Sequence, residues 1–160
     1  VNSWETVRFL ANRMLELDIK PELEAFDVGF IQQGIKLLQE GLVRVPPQFQ
    51  LVMGVDGGIP GTPDSLLHMV RQLPEDALFS VAAVGRAQLG MTTLSMILGG
   101  HVRVGLEDNI YYARGKLAPN EDFVARARRL AQSLNREVAT VDEARRMLRL
   151  KIRKAPHRQE

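Results

Sequence analysis

The stretch Gly99-Gly100-His101-Val102-Arg103-Val104-Gly105-Leu106-Glu107-Asp108-Asn109-Ile110-Tyr111 carries more chemistry than any other part of this chain. Two glycines stop the helix expected before it, and strict alternation then predicts a strand over 101–106. Val102, Val104 and Leu106 share one face of that strand, and Arg103, Gly105 and Glu107 share the other, so a charged stripe points into the middle of a sheet. Burying such charges costs several kcal/mol unless each is paired or bound to metal. Glu107 and Asp108 fall where the strand ends, which is where the functional groups of parallel α/β proteins collect. Two readings stay open on residue types alone. In one, Arg103 and an acid form a buried ion pair while Glu-Asp-Asn caps a turn; in the other, Glu107 is an oxygen ligand to a divalent metal and Arg103 with Asp108 handles a substrate carboxylate or a proton. Full extension would separate Arg103 from Asp108 by about 16 Å. Contact between them requires a bend, and Gly105 is the place for it.

Upstream, the same unit recurs. Ser3 predicts the N-cap of a helix that carries Trp4, Val7, Leu10, Ala11, Met14 and Leu15 on one face and ends near Leu17. Residues 21–26 read as a short extended segment, and Val28 to Glu40 as a second amphipathic helix closed by Gly41. Residues 49–53 read as a strand, followed by a glycine-rich loop from Gly54 to Gly61 and a helix opened by Thr62-Pro63. The third strand is expected at 79–84, with a helix from Gln88 to Leu98 behind it. Beyond Tyr111 two helices close the chain, the first capped by Asn120 and the second by a Thr140 to Glu143 capping box. Strands alternating with helices imply a parallel sheet with right-handed crossovers, and four units suit either half of an eight-stranded barrel or a small doubly wound sheet. Periodicity does not choose between them; a whole barrel needs about 250 residues.

The 160 residues are 45% hydrophobic and 25% charged, the make-up of a globular domain. No run approaches the roughly 18 to 20 apolar residues of a membrane span, and no signal peptide opens the chain, so a cytoplasmic location is the expectation. The absence of cysteine removes disulfides, thiolate metal sites and cysteine nucleophiles. The formal charge of +2 is small. Much of the basic excess sits in residues 151–160, which are expected to be a disordered tail that is solvated and does not bind nucleic acid.

The segment 99–111 closely resembles the last-strand signature of the beta-keto acid cleavage enzymes. Lys20-Pro21-Glu22-Leu23-Glu24-Ala25-Phe26-Asp27, residues 54–63 (GVDGGIPGTP), Gly85-Arg86-Ala87-Gln88 and Arg136-Glu137-Val138-Ala139-Thr140 match the same family in the right order. The likeness runs to about Leu150. It implies an α/β fold in which residues 1–150 are the C-terminal half of a (β/α)8 TIM barrel. The implied reaction joins a beta-keto acid with acetyl-CoA to give acetoacetate and a new acyl-CoA, with zinc as the metal. Glu107 then corresponds to the family's last-strand zinc ligand, Arg103 and Asp108 to its arginine and aspartate dyad, and Glu24 to a substrate-binding glutamate, with Glu22 as the fallback. Arg86, just before a helix N-terminus, is placed to meet coenzyme A; the plainer reading is a surface arginine. The loop 54–61 reads either as a strand-to-helix turn or as a backbone cradle for an anion, and it is no Walker loop because Gly-Lys-Ser/Thr is missing.

The family's two other zinc ligands are histidines, and no His-x-His occurs here. His68 reads as structural, His157 lies in the tail, and His101 sits at the wrong end of its strand. One carboxylate does not hold zinc, so the chain alone is expected to be inactive. The chain opens on Val1 rather than methionine, and it is expected to be part of a longer enzyme or to pair with a second chain. A half-barrel exposes sheet edges, so self-association is expected. The competing expectation is a non-enzymatic α/β module in which Arg103, Glu107 and Asp108 are an ion-pair network. Position discriminates: in an enzyme these groups and Glu24 converge at one end of the strands.

Overall fold

The computed structural model describes residues 2–150; the basic segment 151–160 lies outside them. Helix α1 (Trp4–Glu16) starts where the Ser3 hydroxyl accepts the Thr6 amide, and strand β1 (Glu22–Ala25) follows. Helix α2 (Val28–Gln39) is capped by the Asp27 carboxylate, β2 is Gln48–Met53, and α3 (Pro63–Arg71) has Thr62 as its N-cap. Strand β3 (Leu78–Ala83) leads through one 3-10 turn, Gly85–Ala87, into α4 (Gln88–Ile97). Strand β4 is His101–Val102, and a hairpin of β5 (Tyr111–Ala113) and β6 (Lys116–Leu117) precedes α5 (Asn120–Ser133) and α6 (Val141–Met147).

The four strands β1 to β4 lie side by side in chain order, and every pairing is parallel. A doubly wound sheet reverses its strand order at a switch point; no reversal occurs among these four. The helices cover one face. Ala25, Phe49, Leu51, Met53, Val81 and Ala83 pack there against Ile31 of α2, Leu66 and Met69 of α3, and Met91 of α4. Each large side chain so buried contributes about 1.5–3 kcal/mol, which makes this layer the main source of stability. Gly34 is part of the fit, because a Cβ there would lie 2.7 Å from the Phe49 ring.

Because side chains alternate across a strand, the other face presents Glu22, Glu24, Gln48, Gln50, Ser80 and Arg103. Strands buried on both faces are near-continuously apolar, and this polar row departs from that rule.

Three expectations are corrected. The fourth strand has two residues rather than the six expected at 101–106, with one more ladder bond from the Arg103 N–H to the Val81 carbonyl (2.9 Å). The chain then leaves the sheet at Gly105, whose carbonyl accepts both the Asp108 and Asn109 amides. Gly105 is required there, since its φ is +155° and a Cβ would stand 3.0 Å from Asn120 Oδ1. Asn120 does not cap α5. Pro119 holds the N-cap position, and Asn120 Oδ1 accepts the Leu106 amide at 2.9 Å, so a tertiary bond displaces the local one. His68, expected to be structural between apolar neighbours, is exposed on the outer side of α3. The Thr140–Glu143 capping box forms as expected.

Candidate functional site

Register lines up Glu24, Gln50, Ser80 and His101 across the sheet's open face. Ser80 Oγ donates to Gln50 Oε1 at 2.5 Å, whereas the buried Gln50 Nε2 has no partner. An amide nitrogen buried without a partner costs about 1–3 kcal/mol, so this row is not shaped for stability alone.

Beyond that row, toward the carboxyl ends of the strands, Arg103 gathers three carboxylates. Its Nε and Nη2 donate to Asp108 Oδ2 and Oδ1 at 3.2 and 3.3 Å, in the forked geometry that suits a planar guanidinium. Its Nη2 lies 2.9 Å from Glu107 Oε2, and its Nη1 lies 3.5 Å from Glu24 Oε1, which comes from β1, 79 residues earlier. The turn at Gly105 makes this possible, folding residues 106–108 back over the strand end. Partial burial by itself lowers the Arg103 pKa, but the carboxylates of Asp108, Glu107 and Glu24 outweigh it and hold the group above its ordinary value. Three carboxylates around one guanidinium leave a formal charge of −2. Of the three, Asp108 is buried and Glu107 is 84% exposed.

The sequence-derived site residues Glu24, Arg103, Glu107 and Asp108 are therefore brought together. Glu22 is turned the same way at the start of β1, where it is exposed and Gln48 Nε2 donates to it at 3.2 Å. Glu107 is turned to solvent and engaged by Arg103. Among the described residues no group of three His, Cys, Asp or Glu side chains could hold a metal ion. These residues alone do not make a zinc site. His101 lies at the start of β4, where desolvation and, second, Arg136 lower its pKa.

Next to the cluster, across the Gly85 turn, lies a cavity of about 660 Å³. Arg86, Asn109, Tyr111, Arg114 and Arg126 help to line it. The Gly85 amide donates to the Asp108 carbonyl at 2.8 Å and so joins the two features through one backbone bond. Asn109 was missed as a candidate. Its side chain closes a local loop with Tyr111, accepting the Tyr111 amide at 2.9 Å and donating to its carbonyl at 2.8 Å, and it also reaches Gln88 Oε1 at 3.3 Å. The β5–β6 hairpin was missed as well, although Arg114-Gly115 between two short runs is a recognisable turn signal.

These features define a class: a parallel α/β protein with a charged constellation and an adjoining cavity at the carboxyl ends of its strands. The sequence pattern described as beta-keto acid cleavage enzyme matches residues 1–150, and the chain belongs to that family. It is 41% identical over 152 residues to a 3-keto-5-aminohexanoate cleavage enzyme of Fusobacterium nucleatum, covering 94% of this chain and 55% of that protein. It is 39% identical over 153 residues to a 3-oxoadipate:acetyl-CoA acetyltransferase of Cupriavidus necator, covering 93% and 54%. With a 3-dehydrocarnitine:acetyl-CoA trimethylamine transferase of Rhizobium meliloti the identity is 36% over 149 residues, covering 93% and 50%. The chain spans about half the length of the curated relatives it matches. No helix among the described residues is long and apolar enough to cross a membrane.

Proposed function

We propose that this chain contributes the C-terminal half of a (β/α)8 barrel to an enzyme that joins a beta-keto acid with acetyl-CoA, giving acetoacetate and the acyl-CoA of the remaining acyl group. The observation that carries this reading is the convergence of Glu24, Arg103, Glu107 and Asp108 at one end of the strands, beside an open cavity. An ion-pair network in a non-enzymatic module has no need to recruit a carboxylate from a strand 79 residues away. Four in-order parallel strands with helices on one face support the barrel, because a sheet of this kind curls toward closure when more strands are added in the same sense.

The geometry supports the following roles. Arg103 offers a planar fork to the carboxylate of the beta-keto acid, and Asp108, buried and bonded twice to it, fixes the plane of that fork. Asp108 also stands as a proton acceptor once substrate draws Arg103 toward itself. Glu24, at the edge of the cluster on β1, meets the distal part of the substrate. Arg86 contacts coenzyme A from the neighbouring cavity. Zinc belongs to the same reading: Glu107 is the one donor this chain would lend, and it would hold the ion only together with ligands other than the described residues. The formal charge of −2 around Arg103 favours a divalent cation there. When bound, the metal supplies Lewis acidity to a keto oxygen. A cytoplasmic setting and association into a homo-oligomer complete the proposal.

The protein, prepared with all the polypeptide its gene encodes, is expected to form acetoacetate from acetyl-CoA and a beta-keto acid, and to carry zinc by elemental analysis. Absence of acetoacetate across a panel of beta-keto acids removes the assigned reaction. Zinc retained in full by Glu107→Gln removes the metal role of Glu107 alone.

A further inference from the structure

We infer that a second cavity, at the amino ends of the strands and lined by Lys20, Arg44 and Arg149, binds a phosphate-type oxyanion. It measures about 570 Å³ and lies between the end of α1, the α2–β2 connection and the end of α6. Lys20 stands just ahead of β1 and Arg44 just ahead of β2, and the two strands are parallel, so this is the opposite end of the sheet from the Arg103 cluster. Its occupancy is therefore independent of the reaction proposed above. Among the described residues no carboxylate lines the opening with the three cations. The nearby Asp18 pairs with Arg44. Three cations and one carboxylate leave a formal charge of +2. Lys20 is half-buried, and Arg44 and Arg149 are exposed beside it. Desolvation first, and then Arg149 and Arg44, lower the Lys20 pKa, so the three groups feel one another. Like charges held together repel, and an entering anion relieves that repulsion. A dianion balances the excess of two charges, which a monocarboxylate does not.

The three cations are placed by bonds that cross between elements. Lys20 Nζ donates to the carbonyl of Leu148, the C-cap of α6, at 2.8 Å. Arg149, the next residue, donates from Nη1 to the Val45 carbonyl at 3.3 Å, and Arg44 pairs with Asp18 at the end of α1. Each cation spends a donor on its anchor and keeps others for a ligand, since an ammonium has three N–H groups and a guanidinium five. The backbone of Arg149 is a second observation. Its φ is +51°, and the Arg149 and Leu150 amides donate to the Arg146 and Arg145 carbonyls at 3.0 and 2.8 Å, the bonding that ends a helix on a left-handed residue. Asp18 and Asn135 hold the same place after α1 and α5, and short polar residues tolerate that conformation. Arginine is disfavoured in it, so the reason for its place lies in the side chain, which lines the cavity. Two guanidiniums and an ammonium suit a tetrahedral oxyanion, because forked donors meet paired oxygens and the ammonium meets another. Once bound, the ion ties α6 to the end of α1 and to the α2–β2 connection.

The test is titration of the gene-encoded protein with inorganic phosphate at constant ionic strength, followed by calorimetry and by the melting temperature. It uses the wild type, Arg149→Gly, Arg44→Gln and, as a charge-matched control, Arg71→Gln on α3. Arg149→Gly is the decisive variant, because glycine suits the left-handed backbone and the fold is kept while the cation is lost. Phosphate is expected to bind the wild type and to raise its melting temperature. Arg149→Gly and Arg44→Gln should each weaken phosphate by about tenfold, with Arg71→Gln matching the wild type. Equal phosphate affinity in the wild type and Arg149→Gly overturns the site, and so does a wild type that binds no phosphate up to about 10 mM. An equal rise in melting temperature with chloride also overturns it, since that is screening of the cluster rather than binding. A parallel titration with phenyl phosphate separates the two sources of the ion. Tighter binding than inorganic phosphate, lost in the same variants, supports the site with an esterified ligand, and weaker binding supports it as a site for the free ion.

Discussion

Along β2, Phe49, Leu51 and Met53 enter the helix layer at 0% exposure, while Gln48 and Gln50 turn to the opposite face of the same strand. The helix face is filled by carbon and satisfies the demands of stability. The open face holds a buried glutamine with an unpartnered amide nitrogen, a short serine contact, and an arginine shared by three carboxylates. A face assembled only to hold the sheet would not retain those groups, because apolar residues of similar volume are as stable or more so. The difference separates the part of the molecule that keeps the strands in place from the part that gathers charge at their ends.

That contrast can be broken from either side. Phe49→Ala is expected to cost about 3–5 kcal/mol in urea unfolding, since the ring is wholly buried between the strands and α2. A loss under about 1 kcal/mol would mean the helix layer is not the stabilising one. Arg103→Lys should leave stability within about 1 kcal/mol, because the pair is partly open to water. The same change should lower kcat/KM for acetoacetate formation by about a hundredfold, or ~2.7 kcal/mol, as a lysine does not fork onto Asp108 while reaching Glu24 and Glu107. Full activity in Arg103→Lys would reduce the cluster to a charge balance. Gln50→Leu sharpens the comparison further. Removing the unpartnered amide is expected to raise stability by up to about 1 kcal/mol while activity falls, the usual exchange at a functional surface. A variant both destabilised and fully active would place Gln50 with the packing residues instead.

The ends of elements were the most legible feature of the sequence, because caps are local chemistry. Ser3, Thr62-Pro63, Gly41 and the Thr140–Glu143 box act within a few residues of themselves, and each lies where the pattern placed it. Asn120 looked like another cap and was not, because its side-chain oxygen has a competitor for its attention 14 residues away, the Leu106 amide. The shortness of β4 has the same kind of cause. Val104 and Leu106 continue the alternation, but the turn at Gly105 is held by the Asp108 and Asn109 amides, which donate to its carbonyl, and by the Leu106 amide, which donates to Asn120, bonds that no two-residue period reveals. Of the site, Arg103, Glu107 and Asp108 stand within one short segment and are readable together. Glu24 reaches them only through sheet order, and family resemblance rather than spacing pointed to it. The cavity arginines come from three separate elements, and only Arg86 stood beside a recognisable helix start.

The smallest expected effect lies far from both faces, in the cap of α6, and it isolates local from tertiary stabilisation. Glu143 Oε2 accepts the Thr140 backbone N–H at 2.8 Å and its hydroxyl at 2.7 Å. The backbone bond first, and then the hydroxyl, hold this carboxyl below its ordinary value of 4.5, with Arg146 adding a little. The folded pKa is therefore the lower one. The box contributes in full above about pH 4.5, where the carboxyl of the unfolded chain is already ionised, and its contribution is lost as pH falls through the depressed folded value. Amide exchange followed by NMR at Ala144 and Leu148 should show α6 fraying as pH is lowered from about 6 to about 3, while the β2 and β3 amides stay protected. Thr140→Ala is expected to fray α6 already at neutral pH, and Glu143→Gln, which has no carboxyl to titrate, to flatten that dependence. If α6 and the central strands lose protection together as pH falls, the loss is global and the cap is a spectator.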